Sequence, residues 1–265
     1  MVAVEALNNE VLQLLKKETG IDSKVAWNNI FLLVSKSEQD NEDPKKAFLT
    51  DKGEDLFTYA SALSYDYDRR GVTIGLVGFT TANEGKDCQG DAMPLFAEYH
   101  KNGGEDLAPL AKGCCSSKDK CKKLIAKIES LKGDQKWIAA QWKMLVNDGG
   151  YIHETMKAWR KLGIENPSPL GMATVFDCSL NQGCDGNFGG CQQLKKNGVQ
   201  GDENASLKAY NAWRRPIAGH HDFNSPEING INRSDMFEQL RKGKAFNLTA
   251  NDADAIAKAV SWHMK

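Results

Sequence analysis

The sequence predicts an α+β protein that is mainly helical, with one small β-hairpin. Three observations carry this. Apolar residues recur at helical spacing along most of the chain, β-branched residues concentrate in residues 71–79, and glycine-rich polar segments separate the periodic runs. At 265 residues the chain is long enough for one large domain, or two lobes, with a sizeable buried core.

Leu7, Val11, Leu14 and Leu15 form the stripe of an amphipathic helix that Gly20 ends. A second helix is predicted over residues 25–37, with Trp27, Ile30, Phe31 and Val34 apolar. Residues 39–55 are charged, contain Pro44 and Gly53, and read as an inserted loop. The hairpin follows at 71–79. Residues 84–90 read as loop, 93–99 as helix and 101–120 as loop-rich. Helices are predicted over 124–131, 137–147 and 152–163, and the apolar run 170–180 predicts a buried central helix. Residues 181–204 read as one long glycine-rich loop. Helices over 205–213, 234–242 and 252–264 complete the chain, the last opened by a Thr249-x-x-Asp252 cap. The six tryptophans fall at helical spacing and are expected in the core. The expected arrangement is two lobes, roughly residues 35–100 and 1–34 with 101–265, with the hairpin at the cleft between them.

Charge narrows the partners. The chain has 34 basic and 35 acidic residues, a formal net charge of −1. Nucleic acid needs an excess or stripe of Lys and Arg, so it is not expected as a ligand. No apolar run approaches the roughly 20 residues of a membrane span, so no membrane partner is expected. Met1 to Leu7 is too short and lacks the basic leader of a signal peptide.

Seven cysteines are present: Cys88, Cys114, Cys115, Cys121, Cys178, Cys184 and Cys191. Six of them lie in two loop-like regions, which suits disulfides in an oxidising compartment outside the cell. The spacings lack the paired C-x2-C knuckles of most structural zinc sites, so no metal and no cofactor is expected. The odd count leaves at least one thiol free or paired with another chain.

Carboxyls at two places in the chain offer chemistry. Glu38 closes Leu33-Val34-Ser35-Lys36-Ser37-Glu38 at the end of an apolar helix, and Asp66 and Asp68 enter the hairpin. A protonated carboxyl can give a glycosidic oxygen its proton while an ionised one activates water. The pattern alone is equally that of a helix end followed by a solvated turn. No Ser or Cys nucleophile motif accompanies the histidines at 220 and 221, so no catalysis is assigned to them.

The chain resembles the chitosanases of glycoside hydrolase family 46, with the related chitosanases of family 80 as the alternative. The helix end at Glu38 is similar to the family's Leu-Val-Ser-x-x-Glu. Residues 68–79 match the family's Asp-Gly-Arg-Gly-Tyr-Thr-x-Gly-x-x-Gly-Phe, with Arg69 in place of Gly and Val72 in place of Tyr. Further matches follow in family order: Gly90-Asp91, the helix through Phe176-Asp177, Gly201-Asp202-Glu203, Trp213-Arg214-Arg215, His221-Asp222 and Arg233 with Glu238-Gln239. The resemblance covers about residues 28–250.

The resemblance implies a lysozyme-like two-lobed fold and endo-acting, inverting hydrolysis of β-1,4 linkages in chitosan by a secreted monomer. It implies Glu38 as general acid, Asp68 as general base and Thr73 as a residue that positions water. The spacer after Glu38 is longer than in the family, which leaves Asp66 in competition as base. Contacts to the sugar chain are implied for Arg70, Asp91, His221 and Asp222, with Glu84 and Asp87 as loop alternatives; Asp91 could instead be a helix N-cap. Asp177, Arg233 and Arg214 or Arg215 are implied to form a buried charge network, since a lone buried carboxylate is costly. Two other readings remain: a muramidase or chitinase on the same fold, and a cysteine-stapled carbohydrate-binding protein without turnover.

Overall fold

The side chain of Asn8 starts the first helix by accepting the Val11 N–H at 2.9 Å, and Gly20 stops it in the left-handed conformation, at φ 78°. The computed structural model describes residues 7–39, 48, 55–62, 69–218 and 232–261. The chain divides into two compact units, one over residues 48–144 and the other over 7–47 with 145–265. These boundaries differ from the 35–100 lobe of the sequence reading, because the helices after residue 101 close on the small sheet.

In the 48–144 unit, β1 (Ala60–Ser61), β2 (Thr73–Ile74) and β3 (Phe79–Thr80) form an antiparallel sheet in the order β1-β2-β3. The hairpin expected at 71–79 is the β2–β3 pair, with Thr73 opposite Thr80 and Ile74 opposite Phe79. A second hairpin, β4 (Ala82–Asn83) and β5 (Lys86–Asp87), occupies part of the stretch read as loop. Its two turn residues, Glu84 and Gly85, both have positive φ, as a tight two-residue hairpin turn requires. The helices α3 (Ala92–Lys101), α4 (Ala108–Ala111), α5 (Lys118–Ser130) and α6 (Gln135–Val146) complete this unit. Its core is aromatic. Trp137 is fully buried, stacks on Phe96 and meets Tyr99 edge-on, with ring centroids 6.3 and 5.3 Å apart. Trp137 Nε1 and Gln141 Nε2 both donate to the Phe57 carbonyl, while Gln141 Oε1 accepts the Leu76 N–H at 2.8 Å. A fully buried glutamine thus joins α6 to the loop after β2 with both ends of its amide satisfied.

The other unit is helical among its described residues. It contains α1 (Asn9–Thr19), α2 (Lys24–Gln39), α7 (Tyr151–Lys161), α8 (Pro169–Gln182), α9 (Gly190–Asn197), α10 (Glu203–Ala218), α11 (Arg233–Lys242) and α12 (Ala253–Val260). The expected central helix is α8. Leu170 to Ser179 are all buried, so it is covered on every side. Ser168 caps it, with Pro169 in the first turn. It packs on α2 through Phe176 and Phe31, whose rings meet edge-on at 5.6 Å. The helix α9 lies inside the stretch read as one loop. The Thr249-x-x-Asp252 capping box is present, but it opens a short 3-10 turn that leads into α12. None of the described helices is long and apolar enough to cross a membrane.

Candidate active site

Glu38 falls in the last turn of α2, seven residues beyond Phe31. Asp66, Asp68, His221 and Asp222 lie outside the described residues. What the structure does place is the scaffold on which these residues are carried.

The segment after Asp68 is shaped by backbone conformation. Arg69 has a left-handed φ of 56°, which costs an L-residue with a Cβ about 1–2 kcal/mol. This is the position where the resemblance has glycine, and the conformation explains that preference. Gly71 is left-handed too, at φ 76°, and a Cβ there would overlap Thr81 Oγ1. That oxygen accepts the Val72 N–H at 3.0 Å, so it has no freedom to retreat. The chain is thereby steered from Asp68 into β2, where Thr73 sits half-buried between Ser61 of β1 and Thr80 of β3. Directly paired residues share one face of a sheet, so Ser61, Thr73 and Thr80 form a row of hydroxyls across the three strands.

Asp91 ends that row. It stands at the N-cap position of α3, yet its side chain caps nothing there. Its Oδ1 accepts the Thr80 N–H at 2.5 Å and lies 3.3 Å from the Thr80 hydroxyl. Gly90 permits this, because a Cβ at Gly90 would overlap the Thr80 carbonyl oxygen. The N-cap alternative for Asp91 is therefore replaced by a tertiary anchor. Asp91 is exposed by surface area, but protein atoms crowd its carboxyl. That crowding raises its pKa, and the Thr80 donors, its own N–H and the charge of Arg70 offset only part of the rise. Arg70 and Asp91, two of the positions implied to contact sugar, thus lie within electrostatic reach of each other. Glu84 and Asp87 fall on the second hairpin. Glu84 occupies its turn, while Asp87 points back and accepts backbone N–H groups of Gly113 and Cys115.

In the helical unit, Arg214 Nη2 of α10 lies 2.7 Å from Asp177 Oδ2 of α8, both side chains wholly buried. Arg233 Nε, at the start of α11, lies 3.5 Å from the same oxygen and is buried as well. Arg215 is the correction to the implied network. Successive residues of a helix face different directions, and the ion pair described for Arg215 is with Asp235 at 2.8 Å. Two buried guanidiniums therefore face one carboxylate. Arg214 also lies over the Phe237 ring, 5.9 Å from its centroid. Beside them, burial raises the Cys178 thiol and pushes the Tyr210 hydroxyl well above its ordinary value. Glu203 has a separate task at the head of α10. It accepts the Ser168 N–H at 3.0 Å and the Ser168 hydroxyl, fastening the cap of α8. Burial raises its carboxyl against those donors.

Thr80, the anchor of Asp91, was missed in the sequence. Its only signal there was its place beyond Phe79 on the outgoing strand. Among the described residues, one group lies at metal-ligand spacing: Asp148, His153 and Glu154. Its members are already engaged, His153 with Glu18 at 3.3 Å and Glu154 with Lys157 at 2.8 Å.

No family model matches the chain. A chitosanase of Niallia circulans is 30% identical over 271 residues, covering 97% of this chain and 83% of that protein. The native chitosanase of Bacillus subtilis superposes with a TM-score of 0.60 at 23% identity, covering 86% of this chain and 93% of that one. A family 46 chitosanase of Gynuella sunshinyii, solved with chitotetraose, gives the same TM-score and coverage at 19% identity. The mainly helical fold with its small sheet is that of these enzymes, and the relationship to the Niallia circulans enzyme makes the chain a glycoside hydrolase. The chain belongs to the chitosanases.

Proposed function

We propose that this chain cuts β-1,4-linked glucosamine chains internally, outside the cell, with Glu38 as general acid and Asp68 as general base. The observation that carries the reading is the relationship to a chitosanase over 97% of the chain. Glu38, protonated, gives the leaving oxygen its proton. Asp68, ionised, takes a proton from the water that attacks the opposite face of the sugar, and Thr73 orients that water.

The charge at Asp91 supports the substrate. Chitosan carries an ammonium on each deacetylated sugar, and opposite charges at about 4 Å gain roughly 4 kcal/mol at an effective dielectric of 20 before desolvation and salt. Asp91 lies at the surface with Oδ1 committed to Thr80. The other oxygen, Oδ2, accepts neither Thr80 donor and is the atom offered to an ammonium. An N-acetylated sugar has no such charge. The Asp177–Arg214–Arg233 group acts at a distance, by holding α8, on which α2 and its terminal Glu38 rest.

The test is release of reducing ends from fully deacetylated chitosan, chitin and peptidoglycan, by the wild type and by Glu38→Gln. Turnover on chitosan, lost in the variant, is expected. Faster cleavage of chitin or peptidoglycan would instead make the chain a chitinase or muramidase. Binding of chitosan without turnover would make it a carbohydrate-binding protein.

A further inference from the structure

Cys184, in the loop between α8 and α9, is joined as a disulfide to Cys191 in the first turn of α9. Cys178 is buried in α8, where its thiol donates to Gln182 Oε1 at 3.3 Å. The remaining four cysteines all belong to the 48–144 unit, Cys88 beside Asp87 and the other three on or beside the turn before α5. The Asp87 carboxylate accepts the N–H of Gly113 and, at 3.3 Å, that of Cys115. Cys115 Sγ lies 3.4 Å from the Gly85 carbonyl oxygen, on the turn of the second hairpin. Cys121 Sγ lies 3.2 Å from the Cys114 carbonyl oxygen, across the first turn of α5. Cys88 directly follows Asp87, held left-handed at φ 57°. Cys114 and Cys121 are wholly buried.

This group of thiols backs directly onto the segment that leads out of Asp68. A Cβ on Gly71 would stand 3.6 Å from the Cys114 carbonyl carbon. The Arg69 guanidinium lies over Gly85, where a Cβ would come within 3.0 Å of its Cζ. Whatever fixes the turn before α5 against the second hairpin also fixes residues 69–71.

We propose that Cys88, Cys114, Cys115 and Cys121 are an oxidisable set that closes as two disulfides, Cys114 with Cys121 and Cys88 with Cys115, and so staples residues 69–71, which follow the base of the proposed reading. Cys114 and Cys121 pair because both are wholly buried and the Cys121 sulfur lies 3.2 Å from the Cys114 carbonyl oxygen. Cys115 and Cys88 pair because both flank Asp87 nearer the surface. Each bond forms by exchange with a small-molecule disulfide such as oxidised glutathione. One protein thiolate attacks it and expels a glutathione thiolate. The partner thiolate then attacks the protein sulfur of the mixed disulfide and expels the second. The protein loses two thiol protons and two electrons per bond, and the glutathione disulfide is reduced to two thiols. Burial raises all four thiols, so exchange in the folded chain is slow and the bonds form during folding.

The test refolds the full chain in a glutathione redox couple, denatures it without reductant and titrates its thiols. One reactive thiol is expected, and it should vanish in Cys178→Ser. Three or five reactive thiols would overturn the two-disulfide scheme. Tryptic mapping should link the Cys88 and Cys121 peptides to the one holding Cys114 and Cys115. Fragmentation between those two residues assigns the pairs, and the crossed assignment would overturn the pairing proposed. One equivalent of bound zinc, with the four thiols protected from reagent, would overturn oxidation in favour of a metal. None of these readouts involves turnover, so they stand apart from the reading of chitosan as substrate.

Discussion

Asp91 accepts the Thr80 N–H at 2.5 Å, and Thr80 stands directly across the hairpin from Thr73. A residue implied to bind sugar is thus coupled through one strand to a residue implied to orient water. The coupling also separates two consequences of Asp91→Asn. The amide oxygen still accepts from Thr80, so the scaffold survives, while the charge offered to an ammonium is gone. The pKa of Asp91 is raised, so the folded state holds that proton more tightly than the unfolded chain does. Its contribution to stability is present below the ordinary aspartate value and is lost as pH rises through the raised one. Above that window Asp91→Asn should melt no lower than wild type, while KM for deacetylated chitosan rises. A marked fall in Tm with unchanged KM would make Asp91 a structural anchor only.

The buried charges predict a contrast between neighbouring arginines. Asp177→Asn removes the carboxylate that the buried Arg214 and Arg233 share, and Arg214→Ala removes the nearer of those two guanidiniums from Asp177. Breaking a buried pair from one side costs about 3–5 kcal/mol. Arg215→Ala removes a partly exposed pair with Asp235 and should cost less than about 1 kcal/mol. Urea unfolding of the three variants checks this. Equal losses at Arg214 and Arg215 would contradict the geometry.

Arg69 predicts a stabilising change. Its left-handed conformation costs about 1–2 kcal/mol, part of which glycine recovers before its own greater freedom in the unfolded chain is charged. Arg69→Gly should be neutral or up to about 1 kcal/mol more stable, a rise in Tm of about 2–4 °C at most. Arg69→Val, branched at Cβ, should fall below wild type. Thermal melts that rank valine above glycine would show that the guanidinium packed over Gly85 matters more than the backbone.

These residues also show what the sequence made legible. The helix α1 was readable from its stripe and Gly20, and α8 from the apolar run of residues 170–180, of which 170–179 are buried. The strands β4 and β5 have two residues each, too few to show a period of two, and their turn uses Glu84 where Asn or Asp would have signalled it. The helix α9 opens on Gly190 and offers little beyond Cys191 and Leu194 as buried apolar residues; the Cys184–Cys191 bond and neighbouring helices supply what its sequence lacks. At the site, Asp177 was expected to find an arginine, but the choice of Arg214 over Arg215 depends on the rotation of α10 against α8. The anchor of Asp91 lies eleven residues away on another element, a contact no local pattern encodes.

The last prediction concerns stereochemistry and the identity of the base. An inverting enzyme leaves room for a water between its two carboxyls, and that water attacks from the face opposite the leaving group. Cleavage of a β-linkage should therefore release the α-anomer first, seen by proton NMR before mutarotation mixes the products. Early β-anomer would mean that the second carboxyl attacks the sugar directly. The base itself is settled by two variants. General-base assistance contributes about 10²–10⁴-fold, so Asp68→Asn should lose turnover on that scale with KM nearly unchanged. Asp66→Asn should retain most activity, because Asp68 and not Asp66 stands in register with the glycines and threonine of residues 71–78. If Asp66→Asn is the inactive variant, the longer spacer after Glu38 has shifted the base by two residues, and the water is held from Asp66.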